Sequence, residues 1–299
     1  MTDTWVIETD ALTKRYGEVE AVRQLTLRVN GNRITGFLGR NGAGKSSTIR
    51  MLLGISPPTA GTGTLLGRRI DDSHASRDTR RHVAYVAEDK QTYGYLTVSQ
   101  MIAFTRSFYS DWMPDLERRL LRQYDLPLHR KVKALSKGMR TKLALLLALS
   151  RRPQLLILDE PSEGLDPVSV EELLQSLVAA AADGTTVFFS SHQIAEVERI
   201  ADHICIIDRG QLVVDTPLDR IRQEYRRLVL GFPESPPRLD FDGADIGSVH
   251  VSGRQITLMA RANADAIVKH AYRLGAIAVE AAPVSLREVF LESVTERAQ

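Results

Sequence analysis

One octapeptide constrains this chain more than any other stretch: Gly39-Arg40-Asn41-Gly42-Ala43-Gly44-Lys45-Ser46, which obeys the spacing GxxxxGK[ST]. The apolar residues 33–38 before it read as a strand. Ser47, Ile49, Met51 and Leu52 after it keep a helical spacing that Pro57-Pro58 closes. A strand that turns through glycines straight into a helix is a phosphate loop. Gly39, Gly42 and Gly44 let the backbone wrap around anionic oxygens, and the helix adds the free amides and positive dipole end of its N-terminus. The expected nucleotide-binding set is therefore Gly39, Asn41, Gly42, Ala43, Gly44, Lys45, Ser46 and Ser47. Within it Lys45 bridges the β- and γ-phosphates as a point charge, and the Ser46 hydroxyl ligates Mg2+.

A phosphate loop hydrolyses nothing alone; it needs a carboxylate for the metal and a group that orients water. The apolar run 155–158 ends in Asp159-Glu160, which supplies both: Asp159 for the Mg2+ shell and Glu160 as general base or water-orienting carboxylate. A second strand-like run, 185–190, leads through Ser191 to His192, a candidate for contact with the γ-phosphate. The ends of parallel strands gather along one sheet edge, so Lys45, Asp159, Glu160 and His192 can converge despite their separation in sequence.

Strand-like and helix-like runs alternate along the first two thirds of the chain: strands near 5–8, 21–29, 33–38, 83–86, 155–158 and 185–190, with helices after residue 44 and over 168–182. That order predicts an α/β fold with largely parallel pairing. Residues 89–150 read as a mainly helical insert, and residues 203–208 and 211–214, flanking Arg209-Gly210, read as a hairpin. The first domain is placed at residues 1–221. Residues 222–299 restart as a small α+β unit with extended runs near 249–251, 256–259 and 276–279 and helices over 264–274 and 285–294, the last begun by a Ser285/Glu288 capping box.

Charge and cysteine content narrow the partners. The 39 basic and 37 acidic residues leave a formal charge of +2, which lacks the positive field of a nucleic-acid binder, so no nucleic acid is expected. The single cysteine, Cys205, lies in an apolar run and reads as a buried, inert thiol in a reducing compartment. Neither a secretory signal nor a membrane-spanning stretch is recognised, so any membrane association is expected through another protein.

Read together, these motifs make the chain resemble the nucleotide-binding subunit of an ATP-binding cassette transporter, of the exporter type with a C-terminal extension. The likeness covers about residues 5–220 and, more weakly, the tail at Val284-Ser285-Leu286-Arg287-Glu288-Val289-Phe290-Leu291. It implies a P-loop NTPase fold: a mostly parallel core sheet, an antiparallel N-terminal β-subdomain, a helical insert, and here a small C-terminal α+β domain. It further implies that Tyr16, in Thr13-Lys14-Arg15-Tyr16-Gly17, stacks on adenine, where the bland reading is an exposed strand-edge aromatic. Leu135-Ser136-Lys137-Gly138-Met139 stands where the family has Leu-Ser-Gly-Gly-Gln, which implies that Ser136 and the Gly138 amide reach the γ-phosphate held by the other protomer. Lys137 and Met139 depart from that pattern, with Lys137 either adding charge near phosphate or facing solvent. Glu88 occupies the position of a glutamine that serves the metal and the lytic water, and Asp166, in Glu163-Gly164-Leu165-Asp166, is implied to communicate across the dimer or simply to start a helix.

The resemblance therefore implies a Mg2+-dependent ATPase working as a homodimer, or as a heterodimer with another ATP-binding subunit. It would power export through polytopic membrane permease subunits from a cytoplasmic position on the inner face of the membrane. Tyr93, Tyr95, Phe104, Phe108, Tyr109 and Trp112 in the insert serve either that permease contact or helix packing. Two other readings stay open: a soluble cassette ATPase acting on a macromolecular complex, and a weakly hydrolysing nucleotide sensor.

Overall fold

The computed structural model describes residues 5–72, 79–89, 92–237 and 245–295. Residues 73–78 lie outside them, as do residues 90 and 91 at the start of the expected insert. The chain forms two compact units, Met1–Asp215 and Thr216–Gln299. The expected boundary at 221/222 falls six residues later, inside a helix that follows Pro217.

The first unit contains two sheets. Strands β1 (Trp5–Tyr16), β2 (Val19–Leu25), β3 (Arg28–Asn30), β5 (Ala60–Leu65) and β6 (Arg68–Arg69) form an antiparallel sheet of order β2-β1-β5-β6, with β3 also paired to β1. The other sheet has the order β11-β10-β4-β9-β8-β7, built from β4 (Ile34–Leu38), β7 (Val83–Val86), β8 (Leu155–Asp159), β9 (Thr186–Ser191), β10 (His203–Asp208) and β11 (Gln211–Pro217). Its strands from β10 to β7 are parallel. Every residue of β4, β8 and β9 is buried, the pattern of strands covered on both faces. Residues of both sheets share one core, in which Ile7, Leu12 and Leu27 pack with Phe37, Ile157 and Phe188.

Helix α1 (Lys45–Leu52) follows β4 directly, and the insert between β7 and β8 holds α2 (Val98–Arg106), α3 (Pro114–Gln123) and α4 (Lys137–Leu149). Their starts are legible in the residues: a Thr97/Gln100 capping box for α2, Pro114 in the first turn of α3 and Ser136 capping α4. Helix α5 (Pro167–Ala182) is capped by Asp166, and α6 (Ile194–Ile200) follows β9. The antiparallel hairpin expected around residue 209 is present; Arg209 and Gly210 both take positive φ, 47° and 81°, as a two-residue hairpin turn requires.

The second unit comprises α7 (Leu218–Glu224), β12 (Arg226–Gly231), β13 (Ile246–Ser252), β14 (Gln255–Ala260), α8 (Ala264–Arg273), β15 (Ala278–Pro283) and α9 (Leu286–Thr295). Its antiparallel sheet runs β13-β14-β12-β15, and Leu228, Leu230, Ile256 and Leu258 pack on Ile267 and Ala271 of α8. The capping box at α9 is reciprocal: the Ser285 amide donates to Glu288 Oε2 at 3.0 Å and the Glu288 amide to Ser285 Oγ at 3.3 Å.

Several elements differ from the sequence reading, among them β6, α6 and α7, which no expected run covers. The strand expected over 21–29 is interrupted at Thr26-Leu27, between β2 and β3, and the buried Thr9 hydroxyl bridges the gap, donating to Leu25 O and accepting from the Leu27 amide. Strand β5 escaped notice because it is rich in glycine and threonine; a Cβ on Gly61 would stand 2.2 Å from Ala11 O, so close backbone packing fixes the composition. Strand β12 was also overlooked, although it pairs on both sides, with β14 and β15.

Gly36, in the strand that feeds the phosphate loop, has no room for a side chain: an added Cβ would meet Val197 Cγ1 of α6 at 2.2 Å. Gly36→Ala is therefore expected to lower stability by about 1–3 kcal/mol through overpacking. Adding Val197→Ala should recover part of the loss, both read from denaturant midpoints.

Candidate nucleotide site

The phosphate loop joins β4 to α1. Gly42 and Gly44 adopt φ of 81° and 110°, which turns successive amides toward one concavity. Gly44 also needs its missing side chain for packing, since a Cβ would stand 2.4 Å from Ala21 O; at Gly39 it would stand 2.7 Å from Ile207 O. Backbone bonds fasten the loop from outside. The Gly210 amide donates to Ala43 O at 2.9 Å, and the Arg23 amide donates to Gly210 O at 2.8 Å. Asn41 and Gly42 are exposed, whereas Ala43, Gly44 and Lys45 are buried.

A cavity of about 450 Å³ opens over the loop. Tyr16, Lys45, Ser46, Ser47, Glu88, Glu160 and His192 all face it. Lys45, only 6% exposed, donates to Gly39 O at 2.7 Å and pairs with Glu160 Oε1 at 3.0 Å. That pair is ionic without hydrogen-bond alignment, which leaves Oε1 a buried acceptor with no hydrogen bond. The other oxygen, Glu160 Oε2, accepts from the His192 amide at 3.2 Å and lies 2.8 Å from His192 Nδ1. Lys45, Glu160 and His192, from three distant stretches, thus meet in one contact.

Strand register explains the meeting. Asp159 pairs with Ser190 across β8 and β9, and the Ser190 hydroxyl donates to Asp159 Oδ1 at 2.7 Å while accepting the Glu160 amide at 3.0 Å. This clamp holds Glu160 at φ 45°, a left-handed conformation unfavourable for a non-glycine residue. Ser190 was missed as a site residue in the sequence; its place opposite Asp159 became visible only with the register. Ser162 and Glu196 were missed too. The Ser162 hydroxyl donates to Glu196 Oε2 at 2.5 Å, tying the loop after Glu160 to α6 after His192. Burial lifts the Glu196 carboxyl above the usual glutamate range despite that bond.

Asp159 is 3% exposed and borders a neighbouring cavity together with Glu88 and Tyr85. Glu88 bonds to the Glu163 carboxyl, and that bond, with desolvation and the charges of Glu163, Asp159 and Glu160, raises its pKa. The donor set of Ser46, Asp159 and Glu88 is all oxygen, which suits Mg2+, and the crowded acids need either a proton or a cation between them. These residues fit the metal.

Tyr16 is 46% exposed beside the loop. Partial burial pulls its phenol up, but hydrogen bonds with Ser47 and Ser56 and the charges of Lys14 and Arg50 outweigh that and leave it below its ordinary value. Ser136 and Gly138 do not border the loop cavity; they start α4, where Ser136 Oγ accepts the Met139 amide at 3.2 Å. A Cβ on Gly138 would come 3.2 Å from Ser169 Oγ. Asp166 takes the Ser169 amide at 3.0 Å and the Ser169 hydroxyl at 2.7 Å, and those bonds hold its carboxyl below the usual range. Lys137 is exposed, yet its ammonium bends over the loop before Asp166, 2.7 Å from where a Cβ on Gly164 would be. Of the insert aromatics, Trp112 is buried and Tyr109 stacks on Arg151, whereas Tyr93, Tyr95, Phe104 and Phe108 form an exposed chain of ring contacts.

Comparison with known proteins agrees with this geometry. The family model described as "ABC transporter" matches residues 22–163. The bacitracin transport ATP-binding protein BcrA of Bacillus licheniformis is 34% identical over 225 residues, covering 74% of this chain and 73% of that protein. The Nod factor export ATP-binding protein I of Ralstonia nicotianae is 36% identical over 219 residues, covering 70% and 66%. Among solved structures, an ATP-binding subunit of an ABC transporter superposes with a TM-score of 0.66 at 31% identity, over 73% of this chain and 92% of that one. A dimeric ATP-binding cassette bound to ADP and Pi shares the fold with a TM-score of 0.64 at 21% identity, over 71% and 98%. A phosphate loop in its strand-to-helix setting, acids at the end of a parallel strand of the same sheet and this degree of likeness lead to one conclusion: the chain belongs to the ABC transporter family, as a P-loop cassette of the kind that binds and hydrolyses ATP in transport.

Proposed function

We propose that the chain is a Mg2+-dependent ATPase in which two cassettes hold nucleotide between them and drive export through separate membrane permease subunits. The observation that carries this reading is the contact of Lys45, Glu160 and His192 at the phosphate loop. In the mechanism, the loop amides and Lys45 hold the triphosphate, and Lys45 exchanges the Glu160 carboxylate for phosphate oxygens. Glu160, freed on that side and oriented by His192 on the other, accepts a proton from the attacking water. Ser46, Asp159 and Glu88 would hold Mg2+, which neutralises charge on the phosphates. His192 holds Glu160 and presents its other ring nitrogen toward the γ-phosphate. Tyr16 offers an exposed ring for adenine.

The second half of each site comes from the partner cassette, homologous or identical. There Ser136, the Gly138 amide and the N-terminus of α4 face the γ-phosphate, and Asp166 relays between the two sites. The departure at Lys137 adds a charge to this region. The exposed chain of Tyr93, Tyr95, Phe104 and Phe108 supports a permease contact on the insert, because aromatic anchors dominate such interfaces. No helix among the described residues is long and apolar enough to cross a membrane, which is consistent with a peripheral position on the cytoplasmic face. The export direction rests on the named relatives. The second unit, Thr216–Gln299, serves as an accessory domain that regulates or stabilises the dimer.

Glu160→Gln is expected to keep ATP binding, trap the nucleotide-bound dimer in size-exclusion chromatography and lose about 10²- to 10⁴-fold in phosphate release; undiminished release would remove Glu160 from the mechanism. Lys45→Ala should weaken ATP binding about 10- to 100-fold by titration, the equivalent of one charge-assisted hydrogen bond set. Glu88→Gln should keep turnover and flatten a pH dependence. Because the folded state raises the Glu88 pKa, its contribution to stability is complete below the unfolded value and fades as pH rises through the raised one. Unfolding midpoints of the nucleotide-free protein should therefore decline over that window, and decline less in Glu88→Gln.

A further inference from the structure

Strand β10 lies second from the edge of the six-stranded sheet, and β11 is the edge itself. His203 and Cys205 are two residues apart on β10 and so share one of its faces. Asp215 on β11 brings a carboxylate to the same place: Oδ1 lies 2.6 Å from His203 Nε2 and 3.6 Å from Cys205 Sγ. One ligand atom from each of the three lies within 4.8 Å of the other two. None of the three borders the phosphate-loop cavity, and the ATPase mechanism uses none of them.

Cys205 is buried and its thiol pKa is raised, as expected of an inert thiol. Beside it stand an imidazole and a carboxylate, a donor combination that zinc sites use. Metal–ligand bonds of about 2.0–2.3 Å place ligand atoms roughly 3–4 Å apart, so small side-chain rotations suffice. The thiol is wholly buried, and burial followed by the charge of Asp215 raises its pKa; a cation among the three reverses that balance. The His203 and Asp215 side chains are 20% and 37% exposed, which gives an ion a path in.

We propose that His203 Nε2, Cys205 Sγ and a carboxylate oxygen of Asp215 bind one thiophilic divalent transition-metal ion of the zinc type, fastening edge strand β11 to β10. On binding, Cys205 releases its thiol proton to solvent. Affinity therefore rises with pH.

The test is a titration of the reduced, metal-free full chain with Co2+, without nucleotide. The chain has one cysteine, so a sulfur-to-cobalt charge-transfer band can arise from Cys205 alone. The expected result is a band that saturates at one equivalent, vanishes on adding Zn2+ and is absent in Cys205→Ser. His203→Ala and Asp215→Asn should each weaken Co2+ binding about tenfold or more while retaining wild-type ATPase activity and circular dichroism. The two latter variants decide the matter even if Cys205→Ser fails to fold. No thiolate band on folded, reduced protein would overturn the site. So would a band unchanged in His203→Ala and Asp215→Asn, which marks adventitious thiol binding.

Discussion

The parallel register of β4, β9 and β8 is the constraint on which the site depends. Leu38 is aligned with Ser191 and Asp159 with Ser190, so the loop after β4, the acids after β8 and the histidine after β9 leave the sheet at one level. A slip of one residue would turn Ser190 away from Asp159 and undo the clamp that holds Glu160 in its left-handed conformation. Full burial of these three strands resists such a slip, because each residue already has neighbours on its own face.

Around that edge the electrostatics are lopsided. Asp159, Glu160, Glu163 and Glu88 crowd one buried lysine, and the protein manages them by pairing: Glu160 with Lys45 and His192, and Glu88 with Glu163 by a hydrogen bond. Such a site has a standing preference for cations and for ligands that bring cations with them. The strained backbone at Glu160 and the raised carboxyls are tolerated because the sheet and α6 over-determine their positions.

Much of this was legible in the sequence. The phosphate loop announces itself through glycine spacing, because only glycine reaches the φ values of Gly42 and Gly44. Asp159, Glu160 and His192 were legible as polar residues ending apolar runs. What stayed hidden depends on pairing across the chain. Ser190 looks like any strand serine until Asp159 stands opposite, and Glu163 looks like a loop acid until Glu88 bonds to it. Strand β5 hid because glycines chosen for close approach to β1 carry no strand propensity. Lys137 could be placed near phosphate or in solvent from the sequence; its lean over Gly164 needed coordinates.

On the side away from Lys45, the phosphate loop is stitched to residues 21–23 and 207–210 through main-chain atoms: the Gly210 amide on Ala43 O, the Arg23 amide on Gly210 O, and the carbonyls of Ala21 and Ile207 against bare α-carbons. Side-chain truncation cannot probe this junction. Ala21 and Ala43 have nothing to remove, and Arg23 contributes its amide, not its guanidinium. Only at the glycines would a substitution push an atom into this junction, because there the neighbouring carbonyls already stand where a side chain would begin.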